Sequence, residues 1–134
     1  MVGDKSEESF GCERCWPDNA DAAWEARSSF IRETELIDES HLHVMILSCR
    51  NCSQRFVSIF TEMIDWADGD DPQYWMLLPI TPEETADLVG RGTSLTEERL
   101  NELGRDRRSL RRDRPKMKVP SSYWGTGIWV GPHD

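Results

Sequence analysis

The chain has 134 residues, of which 37% are hydrophobic, and a formal net charge of −9 at pH 7. This length fits one domain that buries about two thirds of the surface of its unfolded chain. No stretch approaches the roughly 18 apolar residues that a transmembrane helix needs, so no membrane span is expected. Because the chain is strongly acidic, most of its surface is expected to repel nucleic acid and to suit a basic partner.

Residues 1–10 are charged and lack hydrophobic periodicity, so we expect a disordered leader. The segment from Met1 to Glu7 contains no apolar core of a secretory signal. We therefore expect a reducing, cytoplasmic location, and we expect residues 11–134 to form a single α+β domain.

Four cysteines occur as two Cys-x-x-Cys pairs, Cys12 with Cys15 and Cys49 with Cys52. Two such pairs make a closed tetrahedral shell of thiolates, which predicts one structural Zn²⁺. Two disulfides would need an oxidising compartment, and neither pair opens a helix within a βαβ pattern as a redox motif does. A filled four-thiolate site leaves no open position for catalysis.

The segment after the first pair has two interpretations that stay open. Helix-forming residues with Ala23, Ala26 and Phe30 near helical spacing predict a helix over 20–32, and the alternative is a strand over 29–36. Alternating and β-branched residues then predict strands over 41–48 and 55–64. These two strands and the second cysteine pair between them are expected to form a hairpin.

An acidic loop follows this hairpin and ends in the turn Asp68-Gly69 and Pro72. Its spacing does not match a calcium-binding EF-hand, which needs glycine at the sixth position and Glu at the twelfth. A solvated turn and a recognition loop both remain open, and we expect the carboxylates to be exposed. The residues predicted to bind a partner are Asp65, Trp66, Asp68, Asp70, Asp71 and Tyr74.

A third strand is predicted over 73–80, followed by two helices. Thr81, Pro82 and Glu84 form the capping box of a helix that runs to about Val89. A second box beginning at Ser94 predicts another helix, whose apolar stripe is Leu100, Leu103 and Leu110.

The segment 105–118 holds eight basic residues and two aspartates. It predicts either contact with phosphates or an internal complement to the acidic part of the chain. The tail over 123–131 is aromatic and glycine-rich, and it predicts a short strand that returns to the sheet.

The two cysteine pairs and the hairpin resemble the zinc-ribbon fold group over residues 12–64. The resemblance implies an antiparallel zinc-ribbon-type sheet with two or three helices, that is, an α+β fold. The 33 residues between the pairs depart from ordinary ribbons. Residues 60–75 look like the corresponding stretch of small uncharacterised bacterial proteins with paired cysteines.

In build, though by no motif, the chain is similar to cytosolic immunity proteins of bacterial toxin systems, which are small and acidic. We therefore expect a non-catalytic protein-binding module that neutralises a toxin with a basic, nucleic-acid-binding surface. The alternative is a zinc-ribbon adaptor that binds nucleic acid or a transcription assembly. An enzyme is not expected, because the chain lacks a phosphate-binding glycine loop and any His paired with a nucleophile.

Overall fold

In the part of the chain that the structure describes, six antiparallel strands form one sheet whose order in space follows the order in the chain. The computed structural model describes residues 10–133, so the predicted leader lies, apart from Phe10, outside the described residues. The strands are β1 (Ile31–Glu39), β2 (Leu42–Ser48), β3 (Arg55–Glu62), β4 (Gln73–Ile80), β5 (Arg108–Arg114) and β6 (Ser121–Thr126).

The hairpin predicted around the second cysteine pair is confirmed as β2 and β3. Its register runs without a break from Ser48 opposite Arg55 to Leu42 opposite Thr61. The β-branched residues of both strands pack well on a pleated surface, which explains why this hairpin could be recognised.

The helices described by the structure are α1 (Ala20–Arg27), α2 (Pro82–Arg91) and α3 (Glu97–Asn101). The capping box predicted for α2 is confirmed. Thr81 Oγ1 accepts a hydrogen bond from the Glu84 amide at 3.1 Å, and Glu84 Oε1 accepts one from the Thr81 amide at 2.9 Å. Within residues 10–133, no helix is both long and apolar enough to cross a membrane.

The segment after the first cysteine pair is a helix followed by a strand, so each interpretation is correct for part of it. The predicted helix over 20–32 ends early, at Arg27. The hydroxyls of Ser28 and Ser29 donate to the Glu25 and Ala26 carbonyls at 2.8 and 2.9 Å. These bonds satisfy carbonyls of the last turn, and the chain then enters β1.

The prediction for the second helix after β4 is wrong in its cap and in its length. Its N-cap is Thr96, whose hydroxyl accepts from the Arg99 amide at 3.2 Å, whereas Ser94 lies in a preceding 3-10 turn. The helix ends at Asn101. Leu110, expected on its apolar stripe, lies in β5.

The basic segment contains β5, a strand that we did not predict. Leu110 is buried, and four of the seven residues of the strand are arginines. The predicted C-terminal strand is confirmed as β6, although it begins at Ser121 and ends at Thr126. The Trp124 indole donates to the Asp18 carbonyl at 2.7 Å, which joins the two ends of the described chain.

The sheet has a buried core on each face. One core packs β2, β3 and β4 against α2, α3 and the C-terminal segment. The other lies under α1 and includes Phe56, Leu77 and Leu110 together with Cys15 and Cys49. The α+β class and the antiparallel sheet are therefore confirmed, and the cysteine cluster is part of one hydrophobic core.

Candidate metal centre

The four cysteine sulfurs converge at one end of the sheet. The Sγ–Sγ distances are 3.7 Å from Cys12 to Cys15, 3.8 Å from Cys12 to Cys49 and 3.7 Å from Cys15 to Cys52. All four sulfurs lie within 4.8 Å of one another. A disulfide would bring two sulfurs to about 2.05 Å, so these are four free thiols around a common point.

A tight turn positions the first pair. The Trp16 amide donates to the Cys12 carbonyl at 2.9 Å, and the Cys12 amide donates to Cys15 Sγ at 3.2 Å. Gly11 precedes the turn with a φ of +72°, and a Cβ at that position would lie 2.8 Å from Cys15 Sγ. Glycine is therefore required by both backbone conformation and space.

The second pair lies in the turn that joins β2 to β3. The Cys49 amide donates to the Gln54 carbonyl at 2.9 Å, and the Ser53 amide donates to the Cys49 carbonyl at 3.0 Å. The Asn51 amide donates to Cys49 Sγ at 3.3 Å. Backbone N–H groups thus point at a sulfur in each pair, which stabilises the thiolate form.

Gln54 joins the two cysteine pairs, and the sequence analysis missed it. Its Oε1 accepts from the Gly11 amide at 3.0 Å, while its Nε2 donates to the carbonyls of Arg55 and Ile80 at 2.7 and 2.9 Å. One side chain therefore fixes the N-terminal turn to the hairpin and to β4. The available signal was an amide side chain placed two residues after the second cysteine pair, because hydrogen-bonding groups near a metal site commonly orient its ligands.

The cysteines differ in burial and in acidity. Cys15 and Cys49 are 1% and 3% exposed, whereas Cys52 is exposed. Burial raises the pKa of Cys12, but hydrogen bonds from the backbone of Cys15 and Arg14 outweigh it and lower the pKa to about 7. Burial raises the pKa of Cys15 and of Cys52 above the ordinary value.

The sulfur geometry fits a tetrahedral metal ion. Ligand sulfurs about 2.3 Å from a tetrahedral centre lie about 3.8 Å apart, and the three Sγ–Sγ distances given above match this spacing. The four cysteines can therefore coordinate one metal ion.

Aromatic side chains surround the cysteine end of the sheet. Trp16 follows the first pair and contacts Phe56 and Trp124, with ring centroids 5.3 and 4.9 Å apart. Phe30 stacks on the other side of Phe56 at 5.1 Å. The tryptophans of this region thus pack residues 10–27, the N-terminal arm, onto the sheet.

The predicted partner-binding residues lie in and beside the loop between β3 and β4. The expectation of exposure is wrong for Asp65, whose side chain is 8% exposed because Lys116 pairs with it at 3.1 Å. Its carboxylate also accepts from the amides of Ala67, Asp68 and Asp70 at 3.2–3.3 Å. Asp65 therefore holds the loop together from inside.

The other residues of this set differ in exposure. Trp66 is 85% exposed, and Asp68 is exposed although it also pairs with Lys116 at 2.9 Å. The expectation of exposure is also wrong for Asp70 and Asp71, which are half-buried: Asp70 contacts Arg114 at 2.6 Å, and Asp71 accepts from the Asp65 amide at 2.8 Å. Tyr74 lies in β4, opposite Thr61 and Asp113, and is half-buried. Their role in binding stays a prediction.

The basic segment complements the rest of the chain internally, which confirms one of its two interpretations. Arg114 and Lys116 pair with the acidic loop. On β5, the Arg108 guanidinium lies 3.9 Å from the centroid of the Trp124 ring. The Arg112 guanidinium lies 4.9 Å from the centroid of the Trp24 ring. These cations are held by carboxylates or aromatic rings of the same chain.

A second group of possible ligands lies on the surface of β1 and β2. Atoms of Glu35, Asp38 and His43 lie within 4.8 Å of one another, and His43 Nδ1 is 3.1 Å from Asp38. Both carboxylates are exposed, as such groups commonly are without a metal, so we assign no ion to them.

Comparison with models of protein families, with curated proteins and with solved structures found no match to this chain. The resemblance to zinc ribbons and to immunity proteins therefore rests on the sequence features described above.

Proposed function

We propose that this chain is a non-catalytic, zinc-stabilised module that binds a protein partner through the loop between β3 and β4. Four thiolates at tetrahedral spacing favour Zn²⁺ over harder cations, and a shell closed by four protein ligands has no position for a substrate. In this proposal the metal joins the N-terminal arm to the β2–β3 hairpin, as in a zinc-ribbon-type fold, and the binding energy comes from elsewhere.

The observation that carries the proposal is the exposure of Trp66 on a fixed loop. A tryptophan that is 85% exposed leaves a large apolar surface in water. The loop around it is held by Asp65, Lys116 and Arg114, so little conformational entropy remains to be lost on binding. Exposed, pre-organised tryptophans are frequent anchors of protein interfaces.

The connection between β5 and β6 extends this surface. Met117 and Val119, in the connection from β5 to β6, are 80% and 82% exposed. The Met117 amide donates to Asp70 Oδ2 at 2.6 Å, which holds this connection against the acidic loop. The loop between β3 and β4 and the loop between β5 and β6 thus both expose apolar side chains, and ion pairs and a hydrogen bond hold the two loops together.

We further propose that the partner is a bacterial toxin with a basic surface. This chain would neutralise the toxin by binding that surface. Support comes from the net charge of −9 and from the exposed carboxylate of Asp68 beside Trp66. Charge of this sign would speed the association of a basic partner, and salt would slow it.

The test is a binding titration against the product of a toxin-like gene next to the gene for this chain. Trp66→Ala should weaken binding by about 30-fold or more, the loss expected for an interface hot spot. Val89→Ala removes an exposed apolar side chain from α2 and is the matched control. If both variants bind as tightly as the unmodified chain, the loop is not the binding surface.

A gel shift with DNA and RNA at two salt concentrations tests the adaptor alternative. We expect no retention, because arginines of the basic segment already contact tryptophan rings and Asp70. Retention that falls steeply with salt would contradict the protein-binding proposal and favour a nucleic-acid adaptor.

A further inference from the structure

A cavity of about 380 Å³ opens on the sheet face opposite α1, beside the base of the acidic loop. It lies between strands β3 to β6 and the C-terminal segment, and its volume is within the range of about 300–1,000 Å³ that ligand sites occupy. The side chains that matter for its chemistry are those of Tyr74, Met76, Arg111, Asp113, Tyr123 and Trp129.

Aromatic rings form much of its wall, and two of them are open to solvent. Trp129 is 60% exposed and Tyr123 is 41% exposed. A third ring, that of Tyr74, lies on β4, opposite Asp113 of β5. The face of an aromatic ring carries the negative side of its quadrupole and attracts a cation that lies over it.

The anionic group of the cavity is Asp113. The Tyr123 hydroxyl donates to its Oδ2 at 2.8 Å, and the ion pairs found within residues 10–133 do not include it. It differs in this respect from Asp65, Asp68 and Asp70, which are paired with Arg114 or Lys116. The Asp113 carboxylate therefore has no ion-pair partner among the described residues and can pair with a cationic ligand.

The cationic group of the cavity, Arg111, is directed to the end of β6. Its Nη2 donates to the carbonyls of Thr126 and Gly127 at 3.0 and 3.4 Å, and its Nε lies 3.5 Å from Ser109 Oγ. A Cβ on Gly125 would lie 2.5 Å from Arg111 Nε, so the guanidinium packs directly over that glycine. Much of its donor capacity is thus used within the protein.

We propose that this cavity binds a cationic side chain, lysine or arginine, from the basic surface of the partner. Tyr74, Tyr123 and Trp129 would contact the cation through their rings, and the Asp113 carboxylate would pair with it. This inference deepens the proposed function, because Tyr74 belongs to the predicted partner-binding set and also lines the cavity.

The test uses small probes and needs no partner. N-acetyl-arginine amide and N-acetyl-lysine amide are titrated into the zinc-loaded full chain, with the indole resonance of Trp129 followed by NMR. N-acetyl-norleucine amide, similar in length but uncharged, and N-acetyl-glutamate amide, which is anionic, are titrated in parallel. Saturation by the two cationic probes in the millimolar range, with weaker binding of the other two, is the expected result.

Two variants locate the site. Asp113→Asn should weaken binding of the cationic probes by about fivefold, the effect of losing one partly exposed ion pair. Asp106→Asn removes the same charge from an exposed position outside the cavity and should leave binding unchanged. Tyr123→Leu removes another exposed ring of the cavity but keeps the Trp129 indole that reports binding, so it should also weaken binding of the cationic probes and provides a second variant should Asp113→Asn unfold the chain.

Three results would overturn the inference. Equal binding of the norleucine probe would make the cavity an apolar slot, and preference for the glutamate probe would make it an anion site governed by Arg111. Unchanged resonances with every probe would exclude a site here. If the cationic probes bind while Trp66→Ala leaves partner binding unchanged, only the proposed function of the loop fails.

Discussion

The side-chain oxygen of Gln54 accepts a hydrogen bond from the amide of Gly11 at 3.0 Å, across 43 residues of sequence. This bond joins the turn of the first cysteine pair to the turn of the second. The rest of the Gln54 amide is bonded to carbonyls of β3 and β4, so the side chain cannot move without breaking several contacts. The geometry of the metal centre therefore depends on a residue that is not a ligand.

Replacing this residue should weaken metal binding without removing a ligand. We expect Gln54→Ala to lower the affinity for Zn²⁺ by about 10- to 100-fold, the usual effect of losing a hydrogen-bonding group that holds metal ligands in place. The measurement is competition with a chromophoric chelator. Gln73→Ala removes a glutamine that bonds Glu62 far from the cysteines and should leave the affinity unchanged. Equal affinities of all three proteins would contradict this role of Gln54.

Two glycines with the same backbone conformation separate strain from steric clash. Gly11 and Gly69 have φ values of +72° and +70°, but only at Gly11 would a Cβ meet other atoms within 4 Å. Gly69→Ala should cost about 1–2 kcal/mol of unfolding free energy, the cost of the left-handed conformation. Gly11→Ala should cost more and should also weaken zinc binding, because its Cβ would displace Cys15 or Trp16. Denaturant unfolding and chelator competition measure the two effects, and similar losses in both variants would argue against the clash.

Removal of the metal should destabilise the whole domain. Structural zinc sites contribute about 10–16 kcal/mol of apparent binding free energy, comparable to the total stability of a domain, about 5–15 kcal/mol. We expect one zinc ion per chain by elemental analysis and a sharp fall in melting temperature for Cys49→Ser. A chelator should have the same effect on the unmodified chain and little further effect on the variant. A metal-free chain with four free thiols and normal stability would refute the assignment.

A pH-dependent contribution to stability is expected from Glu84. Burial alone would raise its pKa, but the hydrogen bonds from Arg107 at 2.8 Å and from the Thr81 amide give a net pKa below the ordinary 4.5. The native state then binds fewer protons than the unfolded state, so this stabilisation is present above pH 4.5 and is lost as the pH falls through the lowered pKa. Glu84→Gln should cost about 1–3 kcal/mol near neutral pH.

The difference in unfolding free energy between Glu84→Gln and the unmodified chain, measured by denaturant titration, should shrink as the pH falls below 4.5. Glu83→Gln removes a carboxylate from the same turn of α2 but from an exposed position, and it serves as the control. A difference that stays constant with pH would mean that Glu84 acts by packing rather than by charge.

The sequence predicted the elements whose signals are local. These signals are the Cys-x-x-Cys spacing, the alternation in β2 and the cap at Thr81, and each depends on residues a few positions apart. The structure contains the cysteine cluster, the strand and the capped helix that they predicted. The strand β5 was missed because arginines dominate it. They are tolerated there since Arg108 and Arg112 lie over tryptophan rings from the N-terminal arm and from β6.

The state of the acidic loop could not be predicted, because it depends on distant residues. Asp70 and Arg114 are 44 positions apart, and they meet since the register of β4 and β5 places Gln73 opposite Arg114. Sequence patterns do not specify that register when one of the two strands is not recognised. The side chain of Gln54 escaped notice for the same reason, since its partners Gly11 and Ile80 come from other segments.

The position of α1 has a consequence for the order in which the chain folds during synthesis. All four cysteines have left the ribosome once β1, β2 and the turn after β2 have been made, whereas α1 packs against β5 and β6, which are made later. A metal ion bound early would keep the N-terminal arm tethered beside the growing sheet, so that its later docking closes only a short loop. In the apo chain the same arm must find its place across more than 80 residues, which favours slower folding and longer exposure of its tryptophans.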